Sequence, residues 1–139
     1  MNFGRHPLML LCADVARARD FYVEHLGLKV NADIGWFVGL EHPDKPREVF
    51  EMSLCQHDHS SLPPSLQQPA RGTVLAFEVD DVDATVARLR DAGVEVLSEV
   101  VDEPWGQRHA YLAAPDGVAL DLFSLCPPDP AWMKANGFA

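Results

Sequence analysis

Two carboxylates stand inside otherwise apolar runs of this sequence. Asp121 interrupts "VALDLFSL", and Glu51 lies in "EVFEMSL". Such a carboxylate can ligate a metal ion, act as a general base or hold a cationic ligand, or it can be a polar residue on a solvated face. If the Glu51 run is a strand, Glu51 shares one face with Ser53 while Met52 takes the other. Asp121 and Glu51 are therefore candidate site residues.

Aromatic residues on predicted strands or strand ends extend the candidate site. Trp36 and Trp105 each adjoin a glycine, near the rims of two predicted modules, where side chains can close over a ligand. Aromatic walls with a few carboxylates suit a planar or cationic organic molecule. The predicted ligand-binding residues are Trp36, Glu51, Trp105, Tyr111, Asp121 and Phe123.

The histidines carry weaker signals. "HDH", residues 57–59, adjoins a Pro- and Ser-rich stretch and predicts a solvated polar loop. His25 and His109 lie in a predicted helix and a predicted strand, with no partner evident in the sequence. None of them adds a residue to the predicted site.

Composition limits the partners and the compartment. The 139 residues carry 11 Lys plus Arg against 21 Asp plus Glu, a formal net charge of −10. This charge disfavours nucleic acid and anionic membrane surfaces as partners. Three widely spaced cysteines indicate a reduced compartment, and no run approaches the roughly 20 apolar residues of a membrane span. We expect a cytoplasmic protein with a small-molecule ligand and no nucleic-acid or membrane partner.

The elements that must position these residues occur twice, in residues 8–30 and 74–96. Each copy reads as an apolar run, a helix that starts at Asp-Val, and a glycine that ends the helix. The capping residues are Asp14 and Gly27 in the first copy, Asp81 and Gly93 in the second. Periodicity predicts helices over 15–26 and 82–92. The predicted strands cover 6–12, 28–32, 36–41, 48–55, 73–79, 94–100, 108–113 and 118–125.

Each copy with its following strands predicts a β-α-β-β-β module, and residues 1–139 form one α+β domain. Module one covers 5–56 and module two 73–126. A Pro-, Ser- and Gln-rich linker covers 57–72 between them, and a tail covers 127–139. We expect the tail to form one helical turn that docks through Trp132.

The duplicated module, with "D-V…FY…LGL" in one copy and "VDDVDA…ARLRDAGVEV" in the other, resembles the vicinal oxygen chelate superfamily. This superfamily includes glyoxalase I, extradiol dioxygenases and bleomycin-resistance proteins. The sequence pattern of "EPWGQRHAYLAAPDGVALDLF" most resembles that of the bleomycin-resistance branch. The resemblance implies a curved mixed sheet that closes into a cup, with helices on the convex face and the ligand or metal on the concave face. It also implies a homodimer.

Enzymes of this superfamily place metal ligands on the first and last strands of both modules. Carried over by position, the first-strand sites fall on Pro7 and Val74, and the last-strand sites on Glu51 and Asp121. Two carboxylates without histidines make a poor transition-metal site. The resemblance therefore favours a protein that binds a small aromatic or cationic molecule in the cup, without a metal or other cofactor.

Two enzymatic alternatives stay open. His6 lies one residue from the first-strand position. The first alternative is a metal-dependent lyase or dioxygenase in which His6, Glu51 and Asp121 help to hold Zn, Ni, Mn or Fe. The second is an enzyme that works without a metal and uses Glu51 or Asp121 as general base.

Overall fold

The computed structural model describes residue 4 and residues 6–47 and 49–138, and it divides the chain into two compact units, 1–71 and 72–139. Each unit holds one β-α-β-β-β module with a mixed four-stranded sheet, so the predicted α+β class and the duplication are confirmed. No helix of the described residues is long and apolar enough to cross a membrane.

In the sheet of the first module, the first strand lies beside the fourth, and the third and second strands follow; the first and fourth run parallel while the other pairs are antiparallel. Its long helix packs on one face of the sheet, where Leu40, Met52 and Leu54 are buried. Arg19 of the helix donates to Asp33 at 2.8 Å, and Asp33 lies in the same cross-strand row as Leu54. Strand alternation therefore places Met52 and Leu54 on the helix side of their strand. The elements are β1 Leu8–Cys12, α1 Val15–Leu26, β2 Lys29–Asp33, β3 Phe37–Glu41 and β4 Glu51–Gln56.

The second module repeats this topology, with its first strand at the edge of the sheet and parallel to its fourth. Leu112, Leu120 and Leu122 face its helix and are buried. A short C-terminal helix follows the last strand, as predicted for the tail. The elements are β5 Val74–Glu78, α2 Val82–Asp91, β6 Val101–Glu103, β7 Gln107–Ala113, β8 Ala119–Leu125 and α3 Pro130–Ala135.

The helix boundaries follow the capping signals. The carboxylate of Asp14 accepts from the Arg17 N–H at 3.0 Å, and that of Asp81 accepts from the Ala84 N–H at 2.9 Å. Gly27 ends the first helix with φ of 69°, in the left-handed conformation that glycine adopts without steric cost. The first helix has the predicted bounds, and the second ends one residue earlier than predicted.

The strand predicted over 94–100 is wrong, because the chain bulges there. The N–H groups of Leu97 and Ser98 both donate to the Tyr111 carbonyl, at 2.8 and 3.1 Å. The Tyr111 N–H donates to the Ser98 hydroxyl at 2.9 Å instead of a backbone carbonyl. Two residues thus oppose one, and a regular ladder forms only from Val101 onward, after a single bridge at Val96.

Two other strand starts were predicted two or more residues too early. The first strand begins at Leu8 rather than at His6, and the fourth at Glu51 rather than at residue 48. Glu48 itself lies outside the described residues. Residues 57–71 belong to the first unit: the His57 N–H donates to the Cys12 carbonyl at 3.0 Å and the Ala70 N–H to the Leu11 carbonyl at 2.7 Å.

Arg108 ties the second helix to its sheet. Its guanidinium donates to the Asp83 carboxylate on α2, at 2.7 and 2.8 Å, and to Asp102 on β6 at 2.7 Å. The hydrogen bonds from Arg108 hold the pKa of Asp83 below its usual value. Since Arg108 points toward α2, its neighbour His109 points to the opposite face of the sheet.

Candidate functional site

The face of the second sheet that α2 does not cover, called the open face below, collects half of the predicted site residues. Tyr111 lies directly opposite Asp121 in the β7–β8 ladder, and His109 opposite Phe123. Glu103 reaches this face from β6, where it contacts His109. Three of the six predicted residues, Tyr111, Asp121 and Phe123, therefore share one surface.

A buried histidine links two carboxylates on the open face. His109 Nδ1 lies 2.8 Å from Asp121 Oδ1, and its Nε2 lies 3.3 Å from Glu103 Oε1. His109 is 5% exposed and Asp121 8% exposed, whereas Glu103 is half-buried. The Asp121 contact at Nδ1 fixes the orientation of the His109 ring.

This arrangement makes the open face anionic. Two carboxyl groups flank one imidazole, so acidic groups outnumber the basic one on this face. Asp121 is satisfied by His109, while Glu103 is the member closest to solvent. The face can therefore attract a cation toward Glu103 without leaving a buried charge unpaired.

Aromatic rings edge the same face. The Tyr111 ring lies 5.2 Å from the His109 ring in edge-on geometry, and the Trp105 ring lies 6.3 Å from it. The Trp105 indole N–H donates to Gln107 Oε1 at 3.0 Å, and the residue is 45% exposed. An indole with exposed surface beside a carboxylate offers both a stacking surface and a cation–π partner.

The structure does not bring the two predicted residues of the first module together. Trp36 directly precedes β3, and its carbonyl accepts from the Gln56 N–H at 2.8 Å, at one end of the β3–β4 ladder. Glu51 lies at the other end, opposite Glu41. Four residue steps of a strand separate these ends by about 14 Å.

The polar segment at 57–59 is more structured than the predicted solvated loop. The His59 ring stacks on Trp36 with centroids 3.7 Å apart and planes within 4°. Its Nδ1 also lies 2.8 Å from the Ser61 hydroxyl. One face of the Trp36 indole is therefore covered by a side chain of the same compact unit.

Sequence reasoning missed His109 and Glu103. The prediction that the sequence shows no partner for His109 was wrong, because the sequence does contain a signal for Asp121 as that partner. Counting outward from Asp116 in the Pro-Asp-Gly turn pairs Tyr111 with Asp121 and sets His109 diagonally beside Asp121 on the same face. Nothing comparable marks Glu103, because the bulge before β6 removes any simple count from sequence.

The residues present do not fit the four metal ligands that the resemblance to vicinal oxygen chelate enzymes implies. Pro7 offers no donor, and the Val74 side chain is apolar and exposed. The last-strand residue Asp121 is engaged by His109, and both ring nitrogens of that histidine face carboxylates. Among the described residues no cluster of three or more His, Cys, Asp or Glu side chains is arranged to hold a metal ion.

Comparison with known proteins supports the resemblance seen in the sequence. A family model described as the Glyoxalase/Bleomycin resistance protein/Dioxygenase superfamily matches residues 4–122. The uncharacterised protein YaeR of Escherichia coli (strain K12) is 26% identical over 128 residues, which cover 85% of this chain and 93% of YaeR.

Two solved structures show the same similarity. TnmS3, an antibiotic binding protein from Streptomyces sp. CB03234, is 28% identical with a TM-score of 0.67, and the match covers 88% of this chain and 98% of TnmS3. A glyoxalase/bleomycin resistance protein/dioxygenase from Nocardioides shares the fold, with 23% identity, a TM-score of 0.71, and coverage of 91% of this chain and 85% of its own.

Proposed function

Because the chain belongs to the glyoxalase/bleomycin resistance protein/dioxygenase superfamily, also called the vicinal oxygen chelate superfamily, we propose that it binds a small aromatic cation on the open face of the second module. Binding needs no metal ion and involves no chemical conversion of the ligand. Trp105, Tyr111 and Phe123 supply aromatic contacts, and Asp121 and Glu103 supply negative charge. Trp36 and Glu51 of the first module remain predicted ligand-binding residues.

One observation carries this proposal: a buried Asp121–His109 contact at 2.8 Å lies beside a half-buried Glu103 and an exposed indole. His109 orients and satisfies Asp121, so the carboxylate is held in place before a ligand arrives. The net charge of −10 adds a long-range field that attracts cations and repels anions. The description of TnmS3 as an antibiotic binding protein supports a ligand of this size class.

Calorimetric titration with three matched naphthalene compounds tests the ligand class. We expect naphthylmethylammonium to bind, neutral naphthylmethanol to bind about tenfold more weakly, and naphthylacetate not to bind, because only the first is attracted by the carboxylates and gains a cation–π contact with the indole. The protein is first treated with EDTA, and adding Zn, Ni, Mn or Fe(II) should leave the affinity unchanged. Binding that requires one of these metals would replace the proposal by the metal-dependent lyase or dioxygenase.

Two variants locate the binding in the same titration. Trp105→Ala should lower the affinity for the cation by about tenfold, a loss of roughly 1.4 kcal/mol in binding free energy. Asp121→Asn should lower the affinity for the cation but not for the neutral compound, since it removes the charge and keeps an oxygen that can contact His109. Asp102→Asn is the matched control, because Asp102 carries the same charge but pairs with Arg108 on the helix side. Equal losses in Asp121→Asn and Asp102→Asn would show a general charge effect rather than a site.

We also propose that the protein is a homodimer, as proteins of this superfamily commonly are. Sedimentation at micromolar concentration should give twice the mass of one chain. Stable dimers bury about 1,600 Å² or more, and such an interface keeps the two chains together at this concentration. A single species with the mass of one chain would contradict this assembly.

A further inference from the structure

The C-terminal segment, residues 126–138, is fastened across the turn that carries Trp105. The Cys126 N–H donates to the Gly106 carbonyl at 3.0 Å, and the Asp129 N–H donates to the Pro104 carbonyl at 2.9 Å. Two backbone hydrogen bonds thus hold the segment on both sides of Trp105. Position 106 is also tightly packed.

Gly106 shows how close this approach is. It has φ of +95°, and a Cβ built there would lie 2.9 Å from the Cys126 carbonyl and 3.2 Å from Pro128 Cβ. Only a glycine permits both the backbone conformation and the contact. The Trp-Gly pair of the sequence therefore serves the packing of the C-terminal segment as well as the turn.

A row of aromatic rings continues the contact. The Trp132 ring lies 6.0 Å from the Trp105 ring at an angle of 54°, and the Phe138 ring stacks on Trp132 at 5.9 Å. Asp129 begins the short helix by accepting from the Ala131 N–H at 2.8 Å. The Trp105 indole thus has both the Trp132 ring and the His109 ring as aromatic neighbours.

We propose that Trp132 is a positioning residue, and that it raises ligand affinity by fixing the Trp105 indole against the open face. This inference rests on the proposed function, because Trp105 is a contact of the proposed ligand. A flexible indole would lose conformational freedom on binding, whereas one already held by Trp132 loses little. The C-terminal segment therefore contributes to affinity through Trp105.

Circular dichroism tests the contact without any ligand. Two indoles at this distance and angle couple and give a bisignate band in the far ultraviolet. Trp105→Phe and Trp132→Phe should each abolish the band, and Trp36→Phe should keep it. Persistence of the band in Trp132→Phe would overturn the assigned ring pair.

Titration with naphthylmethylammonium tests the role. Trp132→Ala should lower the affinity for the probe by up to about tenfold, as Trp105→Ala does. Trp132→Phe should retain most of the affinity, because it keeps a ring against Trp105. In the double variant Trp105→Ala/Trp132→Ala the second change should add nothing. Phe21→Ala, which removes a half-buried ring from α1, should leave the affinity unchanged.

The outcomes separate the two proposals. Binding by the parent protein with additive losses in the double variant would overturn the positioning role alone, since Trp132 would then act independently of Trp105. Failure of the parent protein to bind the probe would overturn the ligand site and, with it, this role, even if the ring pair is present in the dichroism spectrum.

Discussion

Replacing His109 by leucine should lower the free energy of unfolding by about 3 kcal/mol, because it leaves the Asp121 carboxylate buried without its partner. Asp121 is only 8% exposed, and His109 Nδ1 lies 2.8 Å from its oxygen. Urea unfolding followed by far-ultraviolet circular dichroism measures the change. His59→Leu is the matched control, since His59 is less buried and stacks on Trp36, so its loss should cost at most about 1 kcal/mol.

A double-mutant cycle shows that the loss arises from the pair. Asp121→Leu alone should also destabilise the protein, but His109→Leu/Asp121→Leu should regain stability over His109→Leu, because no unpaired carboxylate then remains. If instead the losses of the two single variants add, the two side chains do not depend on one another. That result would remove the basis for a preorganised Asp121 at the site.

Leu120→Ala should cost about 3–4 kcal/mol, comparable to the loss of His109. Leu120 is 0% exposed and packs on the helix side of β8, next to Asp121 in sequence. The smaller side chain removes apolar contacts and leaves a cavity beneath the strand that carries the site. Urea unfolding measures the loss.

The same strand provides the control. Leu125→Ala is the same chemical change at a residue that is 74% exposed, and it should change stability by no more than about 0.5 kcal/mol. Equal losses at the two positions would contradict the assignment of the buried face of β8.

Much of the fold could be predicted because its signals are local. Asp14 and Asp81 accept hydrogen bonds from N–H groups three residues on, and the glycine after the first helix adopts the left-handed conformation at its end. Such contacts depend on neighbours in sequence, so one chain reveals them. The alternation of Leu120, Asp121 and Leu122 likewise places the carboxylate opposite the helix.

The features that could not be predicted depend on contacts between distant residues. The strand expected over 94–100 fails because the Ser98 hydroxyl takes the place of a backbone acceptor for Tyr111, which no period reveals. Glu103 joins the site only because the chain resumes pairing after that bulge. The tail was expected to dock through Trp132, but its contact with Trp105 follows from hydrogen bonds to the turn at 104–106.

The indole N–H signals of the three tryptophans provide the most direct test of where a ligand binds. In a nitrogen-15-labelled sample free of metal, we predict that naphthylmethylammonium shifts the Trp105 indole signal in a saturable manner, and that Asp121→Asn weakens this response. A saturable shift of the Trp36 indole signal would support the prediction that Trp36 is a ligand-binding residue. Binding that leaves the Trp105 signal unmoved would contradict the account, because the ligand would then lie away from the open face of the second module.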